Sequence, residues 1–473
     1  MGVIAKSQNK NWLVIVCVGI GTFLSSLNSS LTNTILPTVE NSLQIQLAQS
    51  EWIVLIYLLI LTITLVPIGR LSDLLGHKTI FLAGFVLFTC AAVVCGLSAN
   101  FWSLFMGRAF LALGGAMILS VGPAIITTTF PAEQRGRVLG LQALMTYIGL
   151  SLGPVIGGIM TQLWGWQSTF FLTVPFGVCG LLLGLWVIPK IKPEIKNPLD
   201  HKGMVSFMIA MAAFTLLPNS ASFTYYRTVL QLFFAAVFIF SFGLFLYAER
   251  KSQTPMIDIS LFRIRNFGFG SLGAALNYLC FFLTLFIIPF YFDRILHSSA
   301  LTTGIYLAIT PLLMTVCSPI VGSLSDRAGS RLFSMLGMLF STVSLLLFEI
   351  MTHAAASPAF SLLILGLIFA GLGTGNFAAP NNSAILGAAP HSQQGVASGV
   401  LATFRYFGMI AGTTIGGSLF DVISMRFNPR VYSAESIFLN SFRIVMAIGV
   451  VFGILGFFCA YAMSPNGRNQ NQI

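Results

Sequence analysis

The sequence is poor in charge. Only 8% of its 473 residues are Asp, Glu, Lys or Arg, whereas about a quarter of an ordinary globular protein is charged. Hydrophobic residues make up 56% of the chain, so a soluble protein of this composition would lack the polar side chains needed to cover its surface. This scarcity excludes a soluble multidomain protein and predicts an all-α polytopic membrane protein.

The sequence also lacks motifs for catalysis and for metal or nucleotide binding. It contains no Ser-His-Asp set, no phosphate-binding glycine loop and no HExxH motif, and its five histidines fall in loops or near helix ends. The seven cysteines lie in apolar stretches without metal-ligand spacing, which favours packing roles. We therefore expect a protein that is not an enzyme and that binds neither a metal nor a cofactor.

Apolar stretches of about 20 residues, the length that crosses a ~30 Å hydrocarbon core, recur along the chain. The seventh and eighth are interrupted by Pro218 and a polar stretch at 219–226, so we expect that both cross the membrane or that neither does. The fourteen predicted spans are 12–36, 50–69, 79–97, 102–125, 138–160, 168–188, 203–219, 228–248, 267–291, 301–322, 332–351, 359–383, 396–422 and 441–463.

Lys and Arg are distributed unevenly between the predicted loops. With the N-terminus in the cytoplasm, 17 of them lie on the cytoplasmic side and 5 outside, as the positive-inside rule requires. The net charge of +11 therefore reflects topology, and nucleic-acid binding is excluded because the sequence has no solvated basic domain. We expect a multi-pass protein of a prokaryotic plasma (inner) membrane with both termini in the cytoplasm.

Two short loops have nearly the same sequence. Both read Gly-x-Leu-Ser-Asp-x-x-Gly and end in a cation, and each lies between two apolar spans. The glycines suit a tight turn, and a carboxylate among cations predicts a charge lock at the cytoplasmic mouth. The predicted gating residues are Gly69, Asp73, Gly76 and Lys78 in the first loop and Gly322, Asp326, Gly329 and Arg331 in the second.

A longer internal repeat accompanies these loops. Six glycines and a tyrosine between 136 and 158 recur 259 residues later, and the loop motifs recur 253 residues apart. Many secondary transporters are built from a duplicated membrane half. We predict two six-helix bundles related by the repeat, with two inserted helices between them, and domains at 1–188, 189–266 and 267–473.

The fifth span is rich in small residues. Small residues every four positions let two helices approach closely, and a proline removes one backbone hydrogen bond and can bend a helix. Ordinary helix packing would explain each glycine singly. The residues concerned are Gly149, Gly153, Pro154, Gly157 and Gly158.

As a whole, that string resembles the antiporter motif of drug exporters in the major facilitator superfamily. The two loops resemble the loop signature of the same superfamily. The segments Trp164-Gly165-Trp166 and Val174-Pro175-Phe176-Gly177 resemble its fourteen-helix drug:proton antiporter branch, and the resemblance covers essentially the whole chain.

The departures from that branch concern charged residues. The acid of its first helix is replaced here by Asn28, whereas Asn33 and Pro37 are kept, and the arginine of its fourth helix is kept as Arg108. We expect the thirteen Asp and Glu residues in loops, at loop edges or near outer helix ends. The membrane carboxylate for which a proton and a cationic substrate would compete is therefore missing from its expected place.

Arg108 is the residue most affected by this change. A charge within a span costs about 2.5–3.5 kcal/mol on the insertion scale unless it is paired or solvated. Three interpretations stay open for Arg108: a structural arginine, an anion-recognition residue and a proton gate. For Arg405 in the second half we favour a structural role. The substrate or coupling candidates are Asn28, Asn33, Arg108, Tyr147, Arg405 and Asn376.

The resemblance implies a secondary transporter that exports drugs or other amphipathic small molecules in exchange for protons, by alternating access. We expect it to act as a monomer in the lipid bilayer. The alternative is an exporter or flippase of an anionic amphipathic metabolite or lipid that binds at Arg108. A sensor or scaffold would not need two gate motifs, and a channel is disfavoured because the sequence shows no repeated pore loop or charged ring.

Overall fold

The structure, a computed structural model, describes residues 2–130, 132–189, 201–219, 227–251, 259–353, 356–389, 394–428 and 432–464. Over these residues the chain forms helices and no strand. The helices are α1 Gly2–Leu43, α2 Leu47–Leu75, α3 His77–Gly96, α4 Phe101–Thr129, α5 Ala132–Trp164, α6 Ser168–Val187, α7 His201–Asn219, α8 Arg227–Lys251, α9 Arg265–Arg294, α10 Ala300–Leu307, α11 Ile309–Ala328, α12 Ser330–Met351, α13 Ala356–Ala388, α14 Gln394–Thr414, α15 Phe420–Ser424 and α16 Ala434–Ala462.

Thirteen helical stretches of the described residues are long and apolar enough to cross a membrane. Helices suit this environment because each satisfies its own backbone N–H and C=O groups where no water is present. The remaining predicted span, 203–219, lies in α7, whose apolar part Lys202–Leu217 is shorter than the others. The prediction of an all-α polytopic membrane protein is confirmed.

The chain folds as two compact units. The first comprises Met1–Met204 and Ser299–Ile305, and the second comprises Val205–Ser298 and Tyr306–Ile473. In the first unit the main packed pairs are α1 with α5, α3 with α4, α2 with α4, and α3 with α6. In the second unit they are α9 with α14, α12 with α13, α11 with α13, and α12 with α16. The same partners therefore recur in the same order, as an internal repeat requires.

Close approaches between helices fix the register of this repeat. A Cβ atom at Gly149 would lie 2.7 Å from the carbonyl oxygen of Phe23, and one at Gly408 would collide with the carbonyl of Ala275. The two glycines are 259 residues apart, and the two carbonyls they face are 252 residues apart. The sequence repeat thus corresponds to equivalent helix contacts.

The third and fourth helices of each half show the same agreement. A Cβ atom at Gly84 would lie 3.0 Å from the carbonyl of Gly114, and one at Gly337 would lie 2.7 Å from that of Gly373. These pairs relate α3 to α12 by 253 residues and α4 to α13 by 259 residues. Equivalent positions in the two units can therefore be assigned helix by helix.

The two units interrupt the corresponding helix by different means. Pro154 lies inside α5, whereas a π-helical segment, Ile415–Leu419, follows α14 in the second unit. Shifted by 259 residues, this segment corresponds to 156–160, directly after Pro154. A proline and a π-bulge both break the regular backbone hydrogen-bond ladder, so each unit has an interruption at the same level of this helix.

Candidate substrate and coupling site

Arg108 lies on α4 and is only 1% exposed. Its Cζ atom is 4.3 Å from the centroid of the Tyr57 ring on α2, and its Nε–H donates to the carbonyl oxygen of Ile53 at 3.2 Å. The buried Nη1 atom has no hydrogen-bond partner among the residues that the structure describes. A ring face and a backbone carbonyl, both from α2, therefore help to compensate this charge.

Tyr57 connects this arginine to α1. Its hydroxyl donates to the carbonyl oxygen of Ser25 at 3.1 Å. A Cβ atom at Gly115 of α4 would lie 3.2 Å from the hydroxyl of Ser25 and 3.4 Å from that of Tyr57. Glycine at this position therefore leaves room for two polar side chains where α1, α2 and α4 meet.

Asn28 and Asn33 on α1 are both fully buried. Neither amide atom of Asn28 has a hydrogen-bond partner within the described part of the chain. The Nδ2 atom of Asn33 donates to the carbonyl of Ser29 at 2.8 Å. A buried polar group without a partner costs about 1–3 kcal/mol, so Asn28 is an expensive residue at the position where the resembling branch carries an acid.

Glu51 is a functional candidate that the sequence analysis missed. It was expected at a loop edge, but α2 begins at Leu47 and Glu51 is 0% exposed in its second turn. Nearby, the hydroxyl of Ser50 lies 3.4 Å from Oε2 of Glu40. The N–H of Gln46 donates to Oε1 of Gln49 at 3.0 Å. In the sequence, the spacing of these two glutamines is the feature that indicates a helix start before Glu51.

The glycines of the fifth span pack against α1. A Cβ atom at Gly153 would lie 2.9 Å from the backbone nitrogen of Leu31, and one at Gly157 would lie 3.4 Å from the Leu31 side chain. The hydroxyl of Ser30 donates to the carbonyl of Leu150 at 3.0 Å. These contacts give the string a helix-packing role.

Pro154 and Gly158 face a different segment of the first unit, residues 299–305. A Cβ atom at Gly158 would lie 2.5 Å from the carbonyl oxygen of Ala300, and one at Gly304 would collide with the carbonyl of Pro154. Two backbones therefore touch here with glycine on both sides. The antiporter role of the string stays a prediction.

The second glycine of each loop motif forms the turn that the sequence predicts, whereas Gly69 and Gly322 lie inside α2 and α11. Gly76 and Gly329, which follow α2 and α11, each have φ of 90°, a backbone conformation that favours glycine. The hydroxyl of Ser72 donates to the carbonyl of Gly69 at 2.6 Å. In the second motif, the Ser325 hydroxyl makes the equivalent bond to the carbonyl of Gly322 at 2.7 Å.

The cations of the two motifs contact the last helix of their own unit. Lys78 Nζ donates to the carbonyls of Leu185 and Ile188, at 2.8 and 2.7 Å, at the C-terminal end of α6. The Cζ atom of Arg331 lies 4.4 Å from the ring of Tyr461 near the end of α16. The side chains of Asp73 and Asp326 lie outside the described residues, so the charge lock stays a prediction.

Arg405 lies on α14 near two tyrosine rings. Its Cζ atom is 5.6 Å from the centroid of Tyr278 on α9 and 5.7 Å from that of Tyr406. Arg405 is half-buried, whereas the two tyrosines are 6% and 8% exposed. Unlike Arg108, Arg405 is not fully buried as a residue.

Two further predicted residues, Asn376 and Tyr147, take part in hydrogen bonds, as does Asn381, which the sequence analysis did not single out. Asn376 donates to the carbonyl of Leu372 on its own helix at 2.7 Å. Tyr147 is half-buried on α5, and its carbonyl accepts from Ser151 at 2.8 Å. Asn381, which is fully buried, donates to the carbonyl of Gly270 at 3.1 Å and ties α13 to α9.

Solved structures share this fold. A bacterial homologue of the human lysosomal transporter Spinster, in an inward-facing and unoccupied conformation, aligns with a TM-score of 0.64 and 17% identity, covering 96% of this chain and 98% of that one. A peptide transporter POT in complex with sulfate aligns with a TM-score of 0.69 and 14% identity, covering 95% of each chain. At these identities the likeness concerns the fold alone.

Sequence relatives cover most of the chain. The riboflavin transporter RibZ of Clostridioides difficile (strain 630) is 32% identical over 433 residues, 91% of this chain and 93% of the relative. The multidrug resistance protein Stp of Mycobacterium tuberculosis (strain CDC 1551 / Oshkosh) is 26% identical over 411 residues, 86% of this chain and 75% of the relative. The tetracenomycin C resistance and export protein of Streptomyces glaucescens is 26% identical over 413 residues, 87% of this chain and 76% of the relative.

The sequence model of the family described as the Major Facilitator Superfamily matches residues 18–264 and 270–472. That match takes in both units and both loop motifs. The chain therefore belongs to the major facilitator superfamily, and it is a secondary transporter of the membrane rather than an enzyme.

Proposed function

We propose that this transporter exports amphipathic small molecules with a planar ring system, neutral or anionic rather than cationic, in exchange for protons. The observation that carries the proposal is the buried Arg108, which lies against a tyrosine ring while Asn28 stands where the resembling branch has an acid. Positive charge inside a span repels a cation and attracts electron-rich groups. Two relatives support this substrate class, one named as a riboflavin transporter and the other as a tetracenomycin C resistance and export protein.

The mechanism in this proposal is alternating access of the two bundles. The domain limits at 188 and 266, cytoplasmic termini, a monomeric state and gating by Asp73 and Asp326 belong to the same proposal. The contacts of Lys78 with α6 and of Arg331 with α16 support it, because they place each motif's cation on the last helix of its own unit.

We assign the proton to Glu51. A carboxyl group buried in a membrane span is a functional candidate by default because its burial is costly. Glu51 is fully buried on α2, the same helix that supplies the ring and the carbonyl to Arg108. A proton bound or released at Glu51 would therefore change the charge of the helix that holds the arginine.

Transport into inside-out vesicles tests this function. Vesicles with an acidic lumen would be given riboflavin, the anion 8-anilinonaphthalene-1-sulfonate or the cation tetraphenylphosphonium, with and without nigericin to collapse the pH gradient. We expect gradient-driven accumulation of riboflavin and of the anion, and loss of the gradient dependence in Glu51→Gln. Accumulation of the cation alone would contradict the substrate class, and accumulation that ignores nigericin would contradict proton exchange.

A second candidate function is export or flipping of an anionic amphipathic metabolite or lipid. It is favoured by the Nη1 atom of Arg108, which has no protein partner among the described residues and could bind an anionic oxygen if the site opened. The same vesicles distinguish the two functions: a short-chain fluorescent anionic phospholipid would be moved, and riboflavin would not.

A further inference from the structure

Arg405 and two nearby tyrosines, Tyr278 and Tyr406, form a cluster to which the proposed function assigns no role. Both ring centroids lie within the roughly 6 Å over which a guanidinium and an aromatic ring attract each other, at 5.6 and 5.7 Å from Cζ. Tyr278 comes from α9 and Tyr406 from α14, two helices that pack closely at Gly408. The two rings near the guanidinium are therefore carried by a closely packed pair of helices.

Arg405 lies on a stretch of helix that has no strongly exposed side chain. Over residues 399–424, all of which the structure describes, no side chain belongs to the exposed class. Phe407, two positions further along, stacks on Phe214 of α7 with ring centroids 4.3 Å apart, so a neighbouring helix covers that side of α14. Because an arginine exposed to hydrocarbon is costly, we take the partial exposure of Arg405 to be toward an interior polar surface.

A guanidinium in this setting can recognise a flat molecule in two ways. Its plane stacks on aromatic rings, and its five N–H donors form a rigid fork that fits carbonyl or anionic oxygens at a ring edge. A lysine keeps the charge but offers neither the plane nor the fork. The neighbouring tyrosines add ring surface that stays ordered without a ligand.

We propose that Arg405, Tyr278 and Tyr406 form the subsite that takes the planar ring of the transported molecule, with oxygens of that ring bound to the guanidinium. The inference rests on the proposed function and assigns residues to its substrate. It makes Arg405 the ligand-contacting arginine and leaves Arg108, which is 1% exposed, without direct access to the substrate in this conformation.

The first unit lacks an equivalent subsite. Shifted by 259 residues, Arg405 corresponds to Thr146 and Tyr406 to Tyr147, and shifted by 252 residues, Tyr278 corresponds to Ser26. One tyrosine is thus shared, whereas the guanidinium and the second ring belong to the second unit alone. A planar substrate would accordingly be held chiefly by the second unit.

Equilibrium binding to purified full-length protein in detergent tests the subsite without requiring transport. Quenching of riboflavin fluorescence reports stacking of its ring, and the anion tetraphenylborate, which is not planar, serves as the second ligand. We expect Arg405→Lys to weaken riboflavin binding about tenfold or more and to change tetraphenylborate binding little, because lysine keeps the charge. Arg426→Lys, the same substitution at an exposed position of the second unit, is the matched control and should leave both ligands unaffected.

Tyrosine variants distinguish loss of the subsite from general unfolding of the protein. Tyr278→Phe keeps the ring and should bind riboflavin within about twofold of the wild type, whereas Tyr278→Leu should weaken binding by about the same factor as Arg405→Lys. Equal losses for both ligands would assign Arg405 a structural role and overturn the proposal, as would absence of riboflavin binding to the wild type. If riboflavin binds through these residues but is not accumulated in vesicles, the subsite stands and the proposed export fails.

Discussion

In the first unit Arg108 of α4 lies against Tyr57 of α2, whereas the equivalent positions of the second unit are Leu367 and Thr310. Both pairs join the second and fourth helices of their half. The arginine does so with a charge over a ring, and Thr310 does so with a neutral hydrogen bond to the carbonyl of Leu367 at 2.9 Å. The contact between the second and fourth helices thus involves a buried charge in the first unit and only neutral groups in the second.

The second unit places its own membrane arginine elsewhere, on the fifth helix of the repeat as Arg405. The close approaches at Gly149 and Gly408 are nevertheless equivalent. The comparison teaches that helix packing and charge placement are separate properties of this chain. Backbone contact needs small residues at fixed spacing in both halves, whereas each half carries its membrane arginine at a different position, beside aromatic partners of its own.

The largest expected effect concerns close helix packing, which the two units share. A Cβ atom at Gly153 would lie 2.9 Å from the nitrogen of Leu31, and one at Gly412 would lie 2.8 Å from the nitrogen of Leu283. Gly153→Val and Gly412→Val must push two backbones apart, and we expect each to destabilise the protein by at least about 3 kcal/mol. Size-exclusion profiles and thermal unfolding in detergent would measure the loss.

Gly387→Val is the control for these two variants, because a Cβ added there would meet no other described residue within 4 Å, apart from its chain neighbours and the adjacent backbone of its own helix. It should leave the profile unchanged. If Gly412→Val unfolds the protein and Gly153→Val does not, the two halves do not pack equivalently, which would contradict the equivalence of their helix contacts.

The helices and the repeat could be predicted because their causes are local in sequence. A span needs only a run of apolar residues, and a close helix contact needs small residues at fixed spacing, so hydropathy and the recurrence of glycines were sufficient. The turns at Gly76 and Gly329 followed in the same way, since both need a glycine-type backbone.

The site could be predicted only in part, because its contacts join distant segments. The burial of Glu51 depends on an α2 that begins before the apolar run, and hydropathy places that residue at a loop edge. Nothing in the sequence near Lys78 indicates its bonds to the carbonyls of Leu185 and Ile188. The position of Arg405 beside Tyr278 likewise depends on how α9 meets α14.

The second prediction concerns the buried charge of Arg108, which the second unit lacks at the equivalent position. Arg108→Leu replaces a buried guanidinium by the residue found at the equivalent position 367, and removing a buried charge that is incompletely paired can stabilise a protein by about 1–4 kcal/mol. We expect the variant to unfold at a higher temperature and to lose at least about nine-tenths of transport. A variant that transports normally would show that Arg108 has no part in function.

The reciprocal variant sharpens this result. Leu367→Arg places a charge where Thr310 offers no ring, so we expect a loss of about 2.5–3.5 kcal/mol in stability. A Leu367→Arg variant as stable as the wild type would contradict this explanation. It would mean that a buried arginine is tolerated here without partners such as Tyr57 and Ile53.

The smallest effect concerns the first helix of each half, where Asn28 corresponds to Cys280 at a distance of 252 residues. The thiol of Cys280 lies 4.0 Å from the carbonyl of Gly449, whereas the described residues offer the Asn28 amide no partner. Asn28→Cys removes an unsatisfied buried group and should raise the free energy of unfolding by about 1–3 kcal/mol, and Cys280→Asn should lower it by a similar amount. Thermal unfolding of both variants measures the pair. Opposite shifts would mean that the first unit gives up stability at Asn28 for function, whereas a loss in Asn28→Cys would mean that the amide is already satisfied, by water or by a bound molecule.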